Sequence, residues 1–426
     1  MSHLSRRHLL AGLAGVGALA VAGCGNGGST GTGGAKNITL YNDIPLWKDG
    51  FIKAGETLRG VSGYGLEPLS VPTTTEYQQV ILSSLQTPKT ADVVKWWSGY
   101  RLHSLARTGG LTDLTQVWDE LTGKNWIDPE LRKDYSYQDK PCALPLSQSY
   151  WVIFYSKSLF EKAGIKAPTS WAEFESNAAA LKRAGVTPLY TSQADGWTPF
   201  IPFAELVAKI DPGYYQRLTA GEASYTDPIA RQALDIWRGW IERDWVSSAD
   251  LKLDDAPAQM KAGKLAMIPA GTWHGTAFKK TGMVPGTDYG AFIMPTVNAG
   301  TASVFIEGGA WTVPSNGGNK EAAVKVVTAW LDPAVQKTWT DFLGDASANP
   351  TVVSTDPVLK GIQDTIASTR PTLLTRYWEA SPPPLVEGNV QDLARFMLDP
   401  KQATSVLTSM QKRAETEWAT WNKAGG

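Results

Sequence analysis

Short apolar strands alternate with capped helices from Asn37 onward, and that alternation is the strongest limit on what the chain can fold into. Residues 37–41 and 91–96 read as strands, the second preceded by an amphipathic helix over 77–85. Ser158-Leu-Phe-Glu161 and Ser170-Trp-Ala-Glu173 read as capping boxes, in which a hydroxyl and a carboxylate satisfy the first free N–H groups of a helix. Gly164 and Gly185 close those two helices. Asp227-Pro228 and Asp399-Pro400 each set an N-cap before a first-turn proline, opening helices over 229–243 and 401–422. Strands over 265–268 and 289–294 end in Gly or Pro turns. This order predicts an α/β architecture.

The leading segment obeys other rules. Its apolar run, residues 9–22, is shorter than the roughly 20 residues a membrane-spanning helix needs. Ser5-Arg6-Arg7-His8-Leu9-Leu10 before that run resembles a twin-arginine export signal. Val21-Ala22-Gly23-Cys24 at its close resembles a bacterial lipobox, with Cys24 as the lipidated residue. Residues 25–35 are a Gly/Ser/Thr tether with nothing to pack. The expectation is a signal peptide over 1–23, a lipid-anchored tether over 24–36, and a body on the extracytoplasmic face of the cell membrane. Glycine spacings in this stretch also spell a dinucleotide fingerprint and a nucleophile elbow. Neither sits between a strand and a helix, so neither carries chemistry.

A formal net charge of -1 with 19% charged residues argues against nucleic-acid binding and against a polybasic membrane patch. With Cys24 lipidated, Cys142 has no disulfide partner and reads as a small buried residue. His103 and His274 have no ligand-spaced partners, so no metal and no cofactor are expected. Residues 37–426 exceed one simple core, which predicts two domains.

The chain carries 18 Trp against 14 Tyr and 11 Phe, an excess that core filling does not ask for. An indole offers a broad apolar face and one N–H donor, a match to the C–H face and hydroxyl rim of a sugar ring. Most of these residues still read as core: Trp237 and Trp240 fall on one amphipathic face, and Trp418 and Trp421 end the last helix in the same manner.

Four blocks occur in order along the chain: "ADVVKWWSGYRLHSLARTGGLTDLTQVW", "ALPLSQSYWVIFYSKSLFEKAGIKAPTSWAEFESNAAALKRAGVTPLY", "QMKAGKLAMIPAGTWHG" and "YGAFIMP". Together they resemble the family-1 extracellular solute-binding proteins of carbohydrate ABC importers, the maltose-binding-protein-like group. The resemblance implies a two-lobed periplasmic-binding-protein fold of type II kind. Each lobe would be a doubly wound sheet with helices on both faces, and the ligand would lie in the cleft between them. Lobe one would hold 37–146 with 297–346 and lobe two 147–296 with 347–426, joined near 146–150, 295–300 and 345–350. The implied role is a monomeric receptor that captures a sugar, in the first place an oligosaccharide, and delivers it to separate ABC permease subunits.

The same resemblance nominates ligand-binding residues. Trp96 and Trp97 close a strand where the family places a stacking aromatic, and one of the two is expected to face the cleft. Trp273 matches the family's Gly-x-Trp, and Asp195 and Trp197 lie in a polar loop where relatives offer a carboxylate and an aromatic. Ser149 stands where a carboxylate is usual in the family. Asn42 and Asp43 follow the first strand, Glu307-Gly308-Gly309 follows the lobe-one return strand, and Trp378 lies in a Pro-rich loop. Two rivals remain open: a receptor for glycerophosphodiesters using Arg101 or Arg376, and a secreted glycoside hydrolase using carboxylates such as Asp195, Glu307 and Glu379.

Overall fold

The computed structural model describes residues 36–423 apart from 88, 89, 299 and 301. The signal, the lipobox cysteine Cys24 and all of the tether except Lys36 lie outside the described residues. In chain order the strands are β1 (Asn37–Asn42), β2 (Gly65–Ser70), β3 (Val93–Trp96), the short pair β4 (Ser136–Tyr137) and β5 (Lys140–Pro141), β6 (Ala143–Pro145) and β7 (Ser149–Ser156). They continue as β8 (Thr187–Leu189), β9 (Leu265–Gly271), β10 (Tyr289–Phe292), β11 (Ser303–Glu307), β12 (Ala310–Thr312) and β13 (Thr372–Thr375).

Two mixed sheets organise two lobes. The first has the order β2-β1-β3-β12-β6, with β1 parallel to β2 and β3 and β12 antiparallel to its neighbours. The second has the order β13-β11-β7-β9-β8, with β10 also paired to β7. Helices cover the sheets because each carries one apolar stripe. Lys48–Ser62 buries Phe51, Ala54, Gly55 and Leu58, spaced to fall on one face, and ends at Gly63 in the left-handed region at φ 81°. Phe200–Ile210 is buried along its whole length. It packs against Pro228–Glu242 and Pro383–Leu398 as a core element, its two buried charges, Glu205 and Lys209, paired with each other at 3.7 Å.

Several expectations are corrected in detail. The helix assigned to the first capping box, Lys157–Lys162, is capped by Ser156 and not by Ser158: the Ser156 hydroxyl accepts from the Leu159 N–H. At Ser170 the cap forms as read, accepting from Glu173, but the Glu173 carboxylate turns to Thr169. The run after Asp399 starts as a 3-10 turn and becomes α-helical only from Ala403. The larger difference concerns the return to lobe one. The strand β11, expected in lobe one within 297–346, pairs with β7 and β13 in the second sheet. The chain changes sheets at Gly308-Gly309, between β11 and β12, and not near 295–300.

Candidate functional site

The ends of β1, β3, β7, β9 and β11 converge on one cavity of about 400 Å³ between the two sheets. Strand ends expose unpaired backbone groups and the side chains that follow them, which makes such a crevice a usual ligand site in α/β folds. On the first-sheet side the wall consists of Asp43, Trp47, Lys95 and Trp97. Alternation along β3 sends Lys95 and Trp97 toward the cavity and Trp96 away from it. Trp96 is buried, and its indole N–H donates to the Arg101 carbonyl at 3.0 Å. Lys95 donates to Asp43 Oδ1 at 2.6 Å, and both side chains are almost wholly buried. Its ammonium also lies 5.0 Å from the Trp97 ring centre and 5.5 Å from that of Trp47, within cation–π range.

The facing wall is built around Arg376. Its Nη1 reaches Glu307 Oε2 at 2.7 Å and its Nε donates to Glu379 Oε2 at 2.8 Å. Its Nη2 closes a second bond to Glu379. The other oxygen of Glu307 accepts from the Trp151 indole at 2.9 Å and from the Trp273 indole. Burial pushes the Glu307 carboxyl upward, and the Arg376 guanidinium opposes that shift. For Arg376, burial works against the charge, but Glu307 and Glu379 outweigh it and hold the guanidinium protonated. Trp378 meets Trp97 edge to face at 6.4 Å and carries the Arg101 guanidinium 3.4 Å above its ring centre.

Of the residues expected from sequence, the cavity brings together Asp43, Trp97, Ser149, Asp195, Trp197, Trp273, Glu307, Gly308, Gly309 and Trp378. Trp96 and Asn42 are not among them. Asn42 is fully buried and spent on its own turn and the neighbouring strand, accepting from the Ile44 N–H at 3.0 Å and donating to Ser70 of β2 at 3.2 Å. Ser149 reaches the cavity with its hydroxyl committed to Asp345, which also accepts from Thr272 and from the Ala346 N–H. Burial raises the Asp345 carboxyl to about 7. Asp195 accepts from the Leu253 N–H at 2.8 Å, and burial raises its carboxyl. Side chains at Gly308 and Gly309 would strike the crossing segment: a Cβ would lie 2.6 Å from the Ser147 carbonyl and 2.9 Å from Leu146. Their bareness therefore serves the close passage of two strands that change sheets.

Sequence reasoning passed over Trp47 and Lys95, and considered Arg376 and Glu379 only apart from each other. A lysine inside the buried run Val93-Val94-Lys95-Trp96 was the available signal for the first wall. The three-residue spacing of Arg376 and Glu379 was the signal for the second.

Residues 67–337 match the family described as bacterial extracellular solute-binding protein. An uncharacterized ABC transporter extracellular-binding protein of Pyrococcus horikoshii is 26% identical over 351 residues, covering 79% of this chain and 77% of that relative. Among solved structures, the bacterial solute receptor AcbH, which has an exclusive preference for β-D-galactopyranose, superimposes with a TM-score of 0.81 at 20% identity. The superposition covers 90% of this chain and 99% of AcbH. A chitin oligosaccharide binding protein superimposes with a TM-score of 0.79 at 19% identity, again over 90% of this chain and 99% of that one. At such identities the structural likeness speaks for the fold.

Proposed function

The chain belongs to the bacterial extracellular solute-binding proteins, and from that premise we propose that it captures a saccharide in the cavity between its two sheets and delivers it to a separate ABC permease. The observation that carries this reading is the lining itself. Trp97 on one side and Trp197, Trp273 and Trp378 on the other border a cavity that also holds five carboxylates: Asp43, Asp195, Asp254, Glu307 and Glu379. Aromatic faces suit the C–H surfaces of sugar rings, and carboxylate oxygens accept from hydroxyls. The volume falls within the roughly 300–1,000 Å³ of small-molecule sites. The galactopyranose preference of AcbH and the chitin oligosaccharide receptor on the same fold support the class of ligand. Contacts from both lobes would favour a closed form that presents the docking surface to the permease.

The same lining weighs against the rival readings. A glycoside hydrolase needs one carboxyl as acid and another as base or nucleophile across the bond. Here Glu307 and Glu379 are both engaged by Arg376, and Asp195 is held by a backbone N–H. A phosphodiester receptor needs a buried cation available to the phosphate, whereas Arg376 is paired with two carboxylates and Arg101 with Glu387 at 3.0 Å, and the lining cation without a carboxylate partner among the described residues, Lys252, is exposed. We read the protein as a non-enzymatic, monomeric receptor, tethered to the membrane through a lipid on Cys24.

A thermal-shift and tryptophan-fluorescence panel of neutral xylo-, malto- and chito-oligosaccharides tests the ligand class. A bound sugar raises the melting temperature by mass action and alters the emission of the cavity tryptophans. Glycerophosphodiester binding without sugar binding, or hydrolysis of the bound sugar, overturns the reading. For the anchor, Cys24→Ser moves the protein from the membrane to the soluble fraction; a variant still held firmly by membranes refutes that part.

A further inference from the structure

Both buried cations on the cavity wall, Lys95 and Arg376, are already paired with carboxylates. Lys95 is bonded to Asp43, and Arg376 is bonded to Glu307 through one nitrogen and to Glu379 through two. The Arg376–Glu379 contact is the bidentate fork with which a guanidinium takes a ligand carboxylate or phosphate. The protein thus supplies from within the group that an acidic sugar would bring. Glu379 lies only three residues from Arg376 and is buried with it, so an incoming carboxylate competes against a tethered one. The third lining cation, Lys252, is exposed at the rim. An acidic ligand would also face five lining carboxylates against three cations.

We propose that Glu379, by filling the Arg376 fork, is the specificity-determining residue that makes this cavity accept uncharged sugars and refuse acidic ones. The inference rests on the saccharide reading above and adds the charge class of the ligand. Asp43 plays the same part for Lys95 on the opposite wall. Both pairs leave no unpaired buried cation among the described residues of the cavity wall for an anion to meet.

Calorimetric titration of matched panels tests it: galactose, xylotriose, maltotriose and triacetylchitotriose against galacturonate, trigalacturonate and glucuronate-bearing xylotriose. The wild type is expected to bind at least one neutral sugar and to bind the acidic counterparts roughly a hundredfold more weakly, as like-charge juxtaposition demands. In Glu379→Gln the uncharged amide leaves the fork available, and the gap narrows by about tenfold or more. Glu307→Gln and Asp43→Asn narrow it in the same direction, which keeps the test decisive if Glu379→Gln does not fold. A wild type that binds an acidic sugar as tightly as its neutral counterpart leaves the saccharide reading intact and overturns the charge selectivity. A folded Glu379→Gln with an unchanged gap overturns the role of Glu379. A wild type that binds no sugar of either charge overturns the saccharide reading, and this inference with it.

Discussion

Two groups of tryptophans sit near each other and do different work. Beneath the first sheet, Trp311, Trp330 and Trp339 enclose Phe51, with Phe51 and Trp339 stacked at 4.4 Å and Trp311 edge-on to Trp330 at 4.9 Å. All of them are fully buried, and neither Trp311 nor Trp339 has a partner for its indole N–H among the described residues. Around the cavity, Trp197 and Trp273 are only partly buried, and the Trp273 N–H is fixed by Glu307. The first group is enclosed on every side, and only Trp330 makes polar use of its indole, donating to the Leu146 carbonyl at 2.8 Å. The second is only partly covered, and in Trp273 the polar edge is held as well. Residue type is the same in both groups; what differs is whether the surrounding structure covers the second face.

The core group gives the largest expected effect. Trp339→Ala removes a fully buried ring in contact with Trp47, Phe51 and Trp330, and should cost about 3–5 kcal/mol of stability in chemical denaturation. Affinity of the folded fraction should stay the same. A variant with intact stability and collapsed affinity would dissolve the distinction between the groups. The reverse pattern is expected at the cavity: Trp273→Ala should weaken sugar binding by about 1–3 kcal/mol, roughly ten- to a hundredfold, with little change in melting temperature. Trp97 does not separate the two readouts. It is nearly buried against Trp96, Tyr77 and Trp378, so Trp97→Ala should lower stability as well as affinity. Cleft aromatics as a class are therefore not idle in the core, and Trp273 and Trp197 make the cleaner probes.

How far the site could be read from the chain follows from what each signal depends on. The Trp96-Trp97 pair marked a strand end, and alternation guaranteed that one ring would turn inward. Choosing between them needed the strand's register, set by β12 pairing with β3 across more than two hundred residues. Trp237 and Trp240 were legible as core because a helical period carries its own burial pattern, and both are buried. Lys95 stood out as a lysine in a buried run, but its role lies in Asp43, far back along the chain on a neighbouring strand end. Glu307 could be placed at the end of a strand, but that strand was assigned to the wrong sheet. The run Ser303–Thr312 is apolar on both sides of Gly308-Gly309, and only tertiary pairing divides it. Local rules gave the elements, and long-range pairing decided which wall each side chain joined.

Trp47 belongs to both groups, which makes it the finest test of the comparison. Its ring meets Trp339 edge-on at 5.4 Å and Phe51 at 6.2 Å, as a core residue would. It also lines the cavity and lies 5.5 Å from the Lys95 ammonium. Its N–H has no partner among the described residues, so Trp47→Phe strands no acceptor and leaves an aromatic edge against Trp339. The substitution gives up part of the ring volume and the stronger quadrupole beneath Lys95, each on the order of 1 kcal/mol or less. Denaturation midpoint and sugar affinity should both fall, each slightly, and together. A tenfold loss of affinity at constant stability would make Trp47 a stacking platform of the cavity. A loss near that of Trp339→Ala at constant affinity would make it core, and the boundary between the two groups would then run along the Lys95–Asp43 pair.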